Sequence, residues 1–214
     1  MKLKIGKEDQ IIKEMNLKEN IRRILREDTR LREFIRNRID MHGLYKTSKM
    51  LGYSETDLVR LAGIKIDHKL ASSLLRKSLL NGEITSDYKE FDISTNYDGV
   101  FYWEGKINTG HFLPGMTEAV SVMATPFWEG SDYTPIEISW FSLYNEDMEM
   151  VIEEEGMGNY YTELKSKTYF DSVEELFEWY NEIYLPGVYN IVIDELLPKV
   201  HQYVDDKLDE RMGY

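Results

Sequence analysis

Charged and aromatic side chains run in opposite senses along this chain, and that asymmetry does most to limit what it can fold into. Residues 1–90 hold 20 Lys and Arg against 14 Asp and Glu, with 4 of the 27 aromatic residues. Residues 91–214 hold 6 against 25, with the other 23 aromatics. The hydrophobic period changes in the same region, from helical spacing towards alternation. These shifts together predict two modules: a basic helical module over residues 1–85 and an acidic, aromatic α+β module over residues 86–214. The boundary is expected within Asn81–Glu90, "NGEITSDYKE", where turn and polar residues gather.

The length of 214 residues suits one ordinary domain or two small ones. A composition of 42% hydrophobic and 30% charged residues is that of a soluble globular chain. There is no cysteine, which removes disulfides, thiolate chemistry and every Cys-based zinc site. No apolar run approaches the ~20 residues of a membrane helix, and "MKLKIGKEDQ" lacks the apolar core of a secretory signal. The expectation is an intracellular, cytoplasmic protein with no membrane partner.

In the first module, "LKENIRRILREDTRLREFIRNRID" sets Leu17, Ile21, Ile24 and Leu25 on one helical face, with Leu31, Phe34 and Ile35 as a second apolar group. Arg22, Arg23, Arg26, Arg30, Arg32, Arg36 and Arg38 fill the faces between, interleaved with Glu19, Glu27 and Glu33. That pattern is a solvated helical surface first and a phosphate-facing patch second. "GLYKTSKMLGYSETDLVRLAG" then has the outline of a helix-turn-helix. Leu44–Met50 form the first helix, Gly52 takes a left-handed conformation, and Ser54 caps the second helix, with Asp57 near its N-terminus. For nucleic-acid contact the candidates are Lys46, Lys49, Thr56 and Arg60. Glu55 and Asp57 would repel phosphate, so base reading by this segment is not expected. A further helix runs from a cap at Asp67 to a stop at Gly82, with Leu70, Leu74, Leu75 and Leu79 as its buried stripe.

In the second module, "KEFDIST", "GVFYWEGKIN", "EAVSVMATPFW", "PIEISWFSLY" and "MEMVIEE" read as strands of an antiparallel meander. Alternation sets Ile136, Ile138 and Trp140 on one face, and a short strand is expected near Tyr161–Lys165. Ser172 and Glu175 make a capping box ahead of Leu176, Trp179, Tyr180 and Ile183. Pro186-Gly187 is expected to break that helix and Pro198 to bend or divide the next. Trp103, Trp140 and Trp179 are expected between sheet and helix. The fold class is therefore α+β: a helical module with a helix-turn-helix-like segment, then an antiparallel β-meander covered by C-terminal helices.

Catalytic signatures are few. Phosphate-binding glycine loops and the HExxH pattern are absent from the sequence. His42, His68, His111 and His201 are far apart, so only long-range folding would gather them. "DISTNYDG" resembles a calcium loop, but Tyr97 stands where glycine is required and Trp103 where a bidentate glutamate belongs. Glu153, Glu154 and Glu155 read as a solvated strand end. No catalytic residue, metal ligand or cofactor is nominated. Surplus aromatics at strand ends and loops, Tyr102, Trp128, Tyr160 and Tyr161, are the candidate protein-contact surface.

"LKENIRRILRED" and "GLYKTSKMLG" resemble the opening segment of tailed-phage accessory proteins of no assigned activity. The resemblance implies a virion-associated role and carries no site residues with it. The leading expectation is a non-enzymatic protein-interaction or virion-associated accessory protein with a protein partner. The alternative is a helix-turn-helix regulator that binds DNA through the first module and uses the acidic half for dimerisation or sensing. A hydrolase or metal enzyme is the third reading.

Overall fold

A computed structural model describes residues 27–127, 133–155, 164–165, 167 and 169–212. The chain divides into two compact units, Met1–Ile64 and Lys65–Tyr214. Composition changes at Asn81–Glu90, whereas the compact units divide at Ile64. The difference is one helix, which belongs with the sheet.

In the first unit, residues 27–42 are helical (α1), followed by α2 (Leu44–Leu51) and α3 (Glu55–Ala62). Ile35, Leu58 and Ala62 form the core, with Ile39, Leu44, Leu51, Leu61 and Ile64 packed around it. Gly52 ends α2 at φ 73°, a left-handed value that costs glycine little. Ser54 accepts from the Asp57 amide and so caps α3. At the other end of α3, Arg36 donates through Nε to the Ala62 carbonyl at 2.7 Å and through a terminal nitrogen to the Gly63 carbonyl at 2.8 Å. A cation on the last carbonyls of a helix satisfies orphan acceptors and favours the dipole.

The second unit opens with β1 (Ile66–Asp67) and α4 (His68–Leu80), capped by Asp67, whose side chain accepts from the Leu70 amide. Strands β2 (Asp87–Tyr88), β3 (Phe91–Thr95), β4 (Phe101–Ile107), β5 (Thr117–Ala124), β6 (Tyr133–Thr134), β7 (Ile136–Tyr144), β8 (Met150–Glu155), β9 (Leu164–Lys165) and β10 (Tyr169–Phe170) follow. The main sheet is antiparallel in the order β2-β3-β4-β5-β7-β8. Two ribbons, β1 with β10 and β6 with β9, complete the pairing among the described residues. Pairing of Ile66 with Phe170 fixes the start of α4 to this unit, and Ala71, Leu74, Leu75 and Leu79 of α4 are buried. That is why the structural division precedes the compositional one.

Alternation breaks inside β7. Ser121 faces Trp140 and Val122 faces Ile138, so Ser139 is an extra residue in the ladder. A bulge of this kind returns the strand with its sides exchanged. Phe141 and Leu143 then join Ile136 and Ile138 in the core, and Trp140 emerges half-buried on the opposite face. The expectation that Trp140 packs under a helix is corrected accordingly, whereas Trp103 and Trp179 are buried.

The chain is helical from Val173 to Met212. It comprises α5 (Val173–Trp179), a π-helical turn over Tyr180–Tyr184, α6 (Leu185–Ile191), a second π turn over Val192–Leu196, and α7 (Leu197–Met212). The expected break at Pro186 does not occur. A proline ring clashes with the carbonyl four residues earlier and has no amide to donate. Each π turn ends two residues before a proline: the Leu185 amide, next to Pro186, donates to Tyr180 O and the Leu197 amide, next to Pro198, to Val192 O. The wider turn moves the offending carbonyl away, and the helix passes through. Gly187 lies close to the β9 side chain: a Cβ there would lie 2.5 Å from Leu164 Cδ1, which would have to shift.

These helices cover one face of the sheet. Phe101 packs on Tyr180 and Tyr184, Trp103 on Tyr184, and Phe91 on Tyr189, at ring separations of 6.0–6.5 Å. Trp179 stacks on Phe127 at 5.0 Å. Ser172 and Glu175 form the capping interaction at the start of α5, where Lys167 and the Asp171 amide also bind Glu175 and hold its carboxyl below the usual range. Among the described residues, no helix is long and apolar enough to cross a membrane.

Candidate functional site

The sheet face opposite the helices carries a groove of about 740 Å³. Strand alternation builds it. Asp92 of β3 pairs with Glu104 of β4, Glu104 with Ser121 of β5, and Ser121 with Trp140 of β7. All four therefore point the same way. Lys106 and Glu90 complete the rim. Asp92 and Glu104 against Lys106 leave the groove negative, while the Glu90 carboxylate at the rim is hydrogen-bonded to Tyr189. The Lys106 ammonium sits 5.5 Å from the Tyr144 ring centre, which holds this cation to the side.

Trp140 is fixed in place by its indole N–H, which donates to Glu153 Oε1 at 3.1 Å. Tyr102 lies on the same face, paired across the ladder with Ser94 and Met123, and its hydroxyl accepts from Asn96 Nδ2 at 3.2 Å. The surface thus presents half-buried aromatic rings among carboxylates. Large amphipathic rings with few rotors are the side chains that suit protein contact. Of the sequence candidates for protein contact, Tyr102 stands here. Trp128, Tyr160 and Tyr161 lie outside the described residues.

In the first unit, the nucleic-acid candidates scatter. Lys46 and Lys49 are exposed on α2, with the Lys49 ammonium 5.6 Å from the Tyr45 ring centre. Thr56 is buried, and so is Val59, because α3 turns that side towards the core. Thr56 is therefore withdrawn as a contact residue. Arg60 binds Asp57 at 2.8 Å, Arg32 binds Asp28 at 3.1 Å, and Arg38 lies over Phe34. Together with Arg36 on the α3 carbonyls, these arginines have partners inside their own unit.

A second polar cluster lies beneath α7. Glu118 of β5 meets His201 of α7 at 3.0 Å, and Thr109 donates to the other carboxylate oxygen. His111 stacks on His201 with ring centres 4.1 Å apart and reaches Asp205 at 3.1 Å. Long-range folding does bring these two histidines together. Among the described residues, no group of three or more His, Asp or Glu side chains is placed to hold a metal ion. The cluster instead ties β5, the loop after β4 and α7 to one another.

Comparison with protein families, curated proteins and solved structures returns no match. The site must be argued from its own residues. Of two features, one had a sequence signal and the other had none. Glu118 falls in step with the inward Val120 and Val122 in "TEAVSVMA", which marks it as a carboxylate needing a buried partner. The outward turn of Trp140 has none, because Ser139 looks like any polar residue in an alternating strand.

Proposed function

We propose that this chain is a non-enzymatic interaction protein that receives a basic segment of another protein on its acidic sheet face. The reading rests on the groove of Asp92, Glu104 and Trp140, where negative charge and an anchored aromatic ring occur together. Residues 65–214 hold 11 Lys and Arg against 29 Asp and Glu, so long-range attraction favours the same partner. Arg and Lys side chains on that partner would pair with the carboxylates and lay their stems or guanidinium planes on Trp140 and Tyr102.

Amide chemical-shift mapping with an oligoarginine peptide tests this reading. Saturable shifts centred on Asp92, Glu104, Ser121 and Trp140 are expected. Shifts spread evenly over the acidic surface, or gathered on the C-terminal helices, would contradict it.

A further inference from the structure

A second cleft, of about 790 Å³, lies within residues 65–214 between α4 and the turn that joins β3 to β4. Helical spacing lines up Lys69, Ser72, Ser73 and Arg76 on one side of α4. The turn supplies Tyr97, and its Gly99 is pressed against the helix: a Cβ there would lie 2.7 Å from Ser72 Oγ. The wall is thus preformed, with Phe127 and Tyr169 at the far end.

The charges are opposite to those of the surrounding surface. In a unit with 29 acidic residues, Lys65, Lys69, Arg76 and Lys77 are gathered in α4 or just before it. Of the acids at the cleft, Asp67 is engaged in capping, its Oδ1 accepting from the Leu70 amide at 2.8 Å. Asp98 lies at the exposed turn.

The rings are arranged for stacking. Tyr97 is 94% exposed and contributes almost nothing to the core, yet its ring stands 6.0 Å from the Arg76 guanidinium. His68 is stacked on Phe127 at 5.3 Å and bonded to the Lys167 carbonyl at 3.0 Å, which fixes the end wall. Cations and hydroxyls one helical turn apart, facing an exposed ring, match an anion joined to a flat heterocycle.

We propose that this cleft binds a nucleoside monophosphate. The phosphate sits between Lys69 and Arg76 against the hydroxyls of Ser72 and Ser73, and the base stacks on Tyr97. The proposal is independent of the sheet-face reading, since the two sites share no residue.

Titration of the full chain with adenosine monophosphate, adenosine and inorganic phosphate, followed by calorimetry and amide shifts, tests it. The nucleotide is expected to bind saturably below ~1 mM, shifting Tyr97 and the α4 amides. Adenosine and phosphate should each bind at least ~10-fold more weakly. Arg76→Ala and Lys69→Glu should weaken nucleotide binding ~10-fold or more with unchanged circular dichroism. Tyr97→Ala should weaken the nucleotide but leave inorganic phosphate unaffected. The proposal is overturned by no saturable binding, by binding that survives Arg76→Ala and Lys69→Glu, or by phosphate binding as tightly as the nucleotide. Tighter binding of a phosphotyrosine peptide than of any nucleoside monophosphate would overturn it as well.

Discussion

Glu118 and His201 meet between β5 and α7 with Oε2 and Nε2 3.0 Å apart, at residue exposures of 3% and 5%. Each is the main reason the other tolerates burial. Removing one partner leaves a buried polar group short of a hydrogen bond, at a cost of about 1–3 kcal/mol. Glu118→Ala and His201→Ala should each show that loss in urea unfolding. An apolar replacement of both, Glu118→Leu with His201→Phe, should recover most of it. Loss in the double variant equal to the sum of the singles would show that the two act separately.

Gly105 faces backbone. A Cβ there would lie 2.4 Å from the Glu90 carbonyl oxygen, which no rotamer change relieves. Gly105→Ala should cost about 1–3 kcal/mol through displacement of the β2–β3 turn. Gly52→Ala should cost less, because nothing lies within 4 Å of the added methyl and only the backbone at φ 73° is strained. The order of the two midpoints in denaturant checks the contrast, and a greater loss at Gly52 would contradict it.

Tyr180 and Tyr184 carry buried hydroxyls without a hydrogen-bond partner among the described residues, and burial raises both phenols well above their ordinary range, Tyr184 further because Tyr180 lies beside it. A folded value above the unfolded one means a contribution complete below pH ~10 and lost as pH rises towards the folded values. Phenolate absorbance should therefore show these tyrosines ionising only together with alkaline unfolding. Tyr184→Phe should be neutral or stabilising, since it removes an unpaired buried hydroxyl at little loss of volume. Ionisation of both in the folded state would contradict the packing.

The compact division at Ile64 predicts that a fragment of residues 65–214 unfolds cooperatively, whereas one of residues 86–214 does not. The shorter fragment loses the α4 leucines Leu74, Leu75 and Leu79 from the core and the pairing of Ile66 with Phe170. Thermal melts of the two fragments decide between the structural and compositional boundaries.

These contrasts show which parts of the fold are legible in the residue pattern. Strands β3, β4 and β5 alternate cleanly, and Ser54, Asp67 and Ser172 announce their helices, because each signal is local. The apolar stripe of α4 is equally clear, but a stripe does not say which core it joins. Pro186 is a genuine breaker by local rules, and only the tertiary packing of Tyr180, Tyr184 and Val188 holds the helix through it with a wider turn. The outward Trp140 follows from one extra residue, and a bulge has no compositional mark at Ser139. Of the sheet-face site, Tyr102 is legible from its surplus position, while the line from Asp92 to Trp140 exists only in the register of four strands.

The central claim is that this line of residues binds a basic protein segment. The most direct measurement is the affinity of an oligoarginine peptide for the chain carrying Asp92→Lys and Glu104→Lys, compared with a chain carrying the same number of reversals, Glu178→Lys and Glu182→Lys, on the exposed side of the C-terminal helix. Both change the overall charge, but only the first places like charges in the groove. The account predicts a loss of ~10-fold or more for the groove variant, and a small, salt-screened change for the control. Equal losses in the two would contradict it, because attraction would then belong to the net charge and not to the groove.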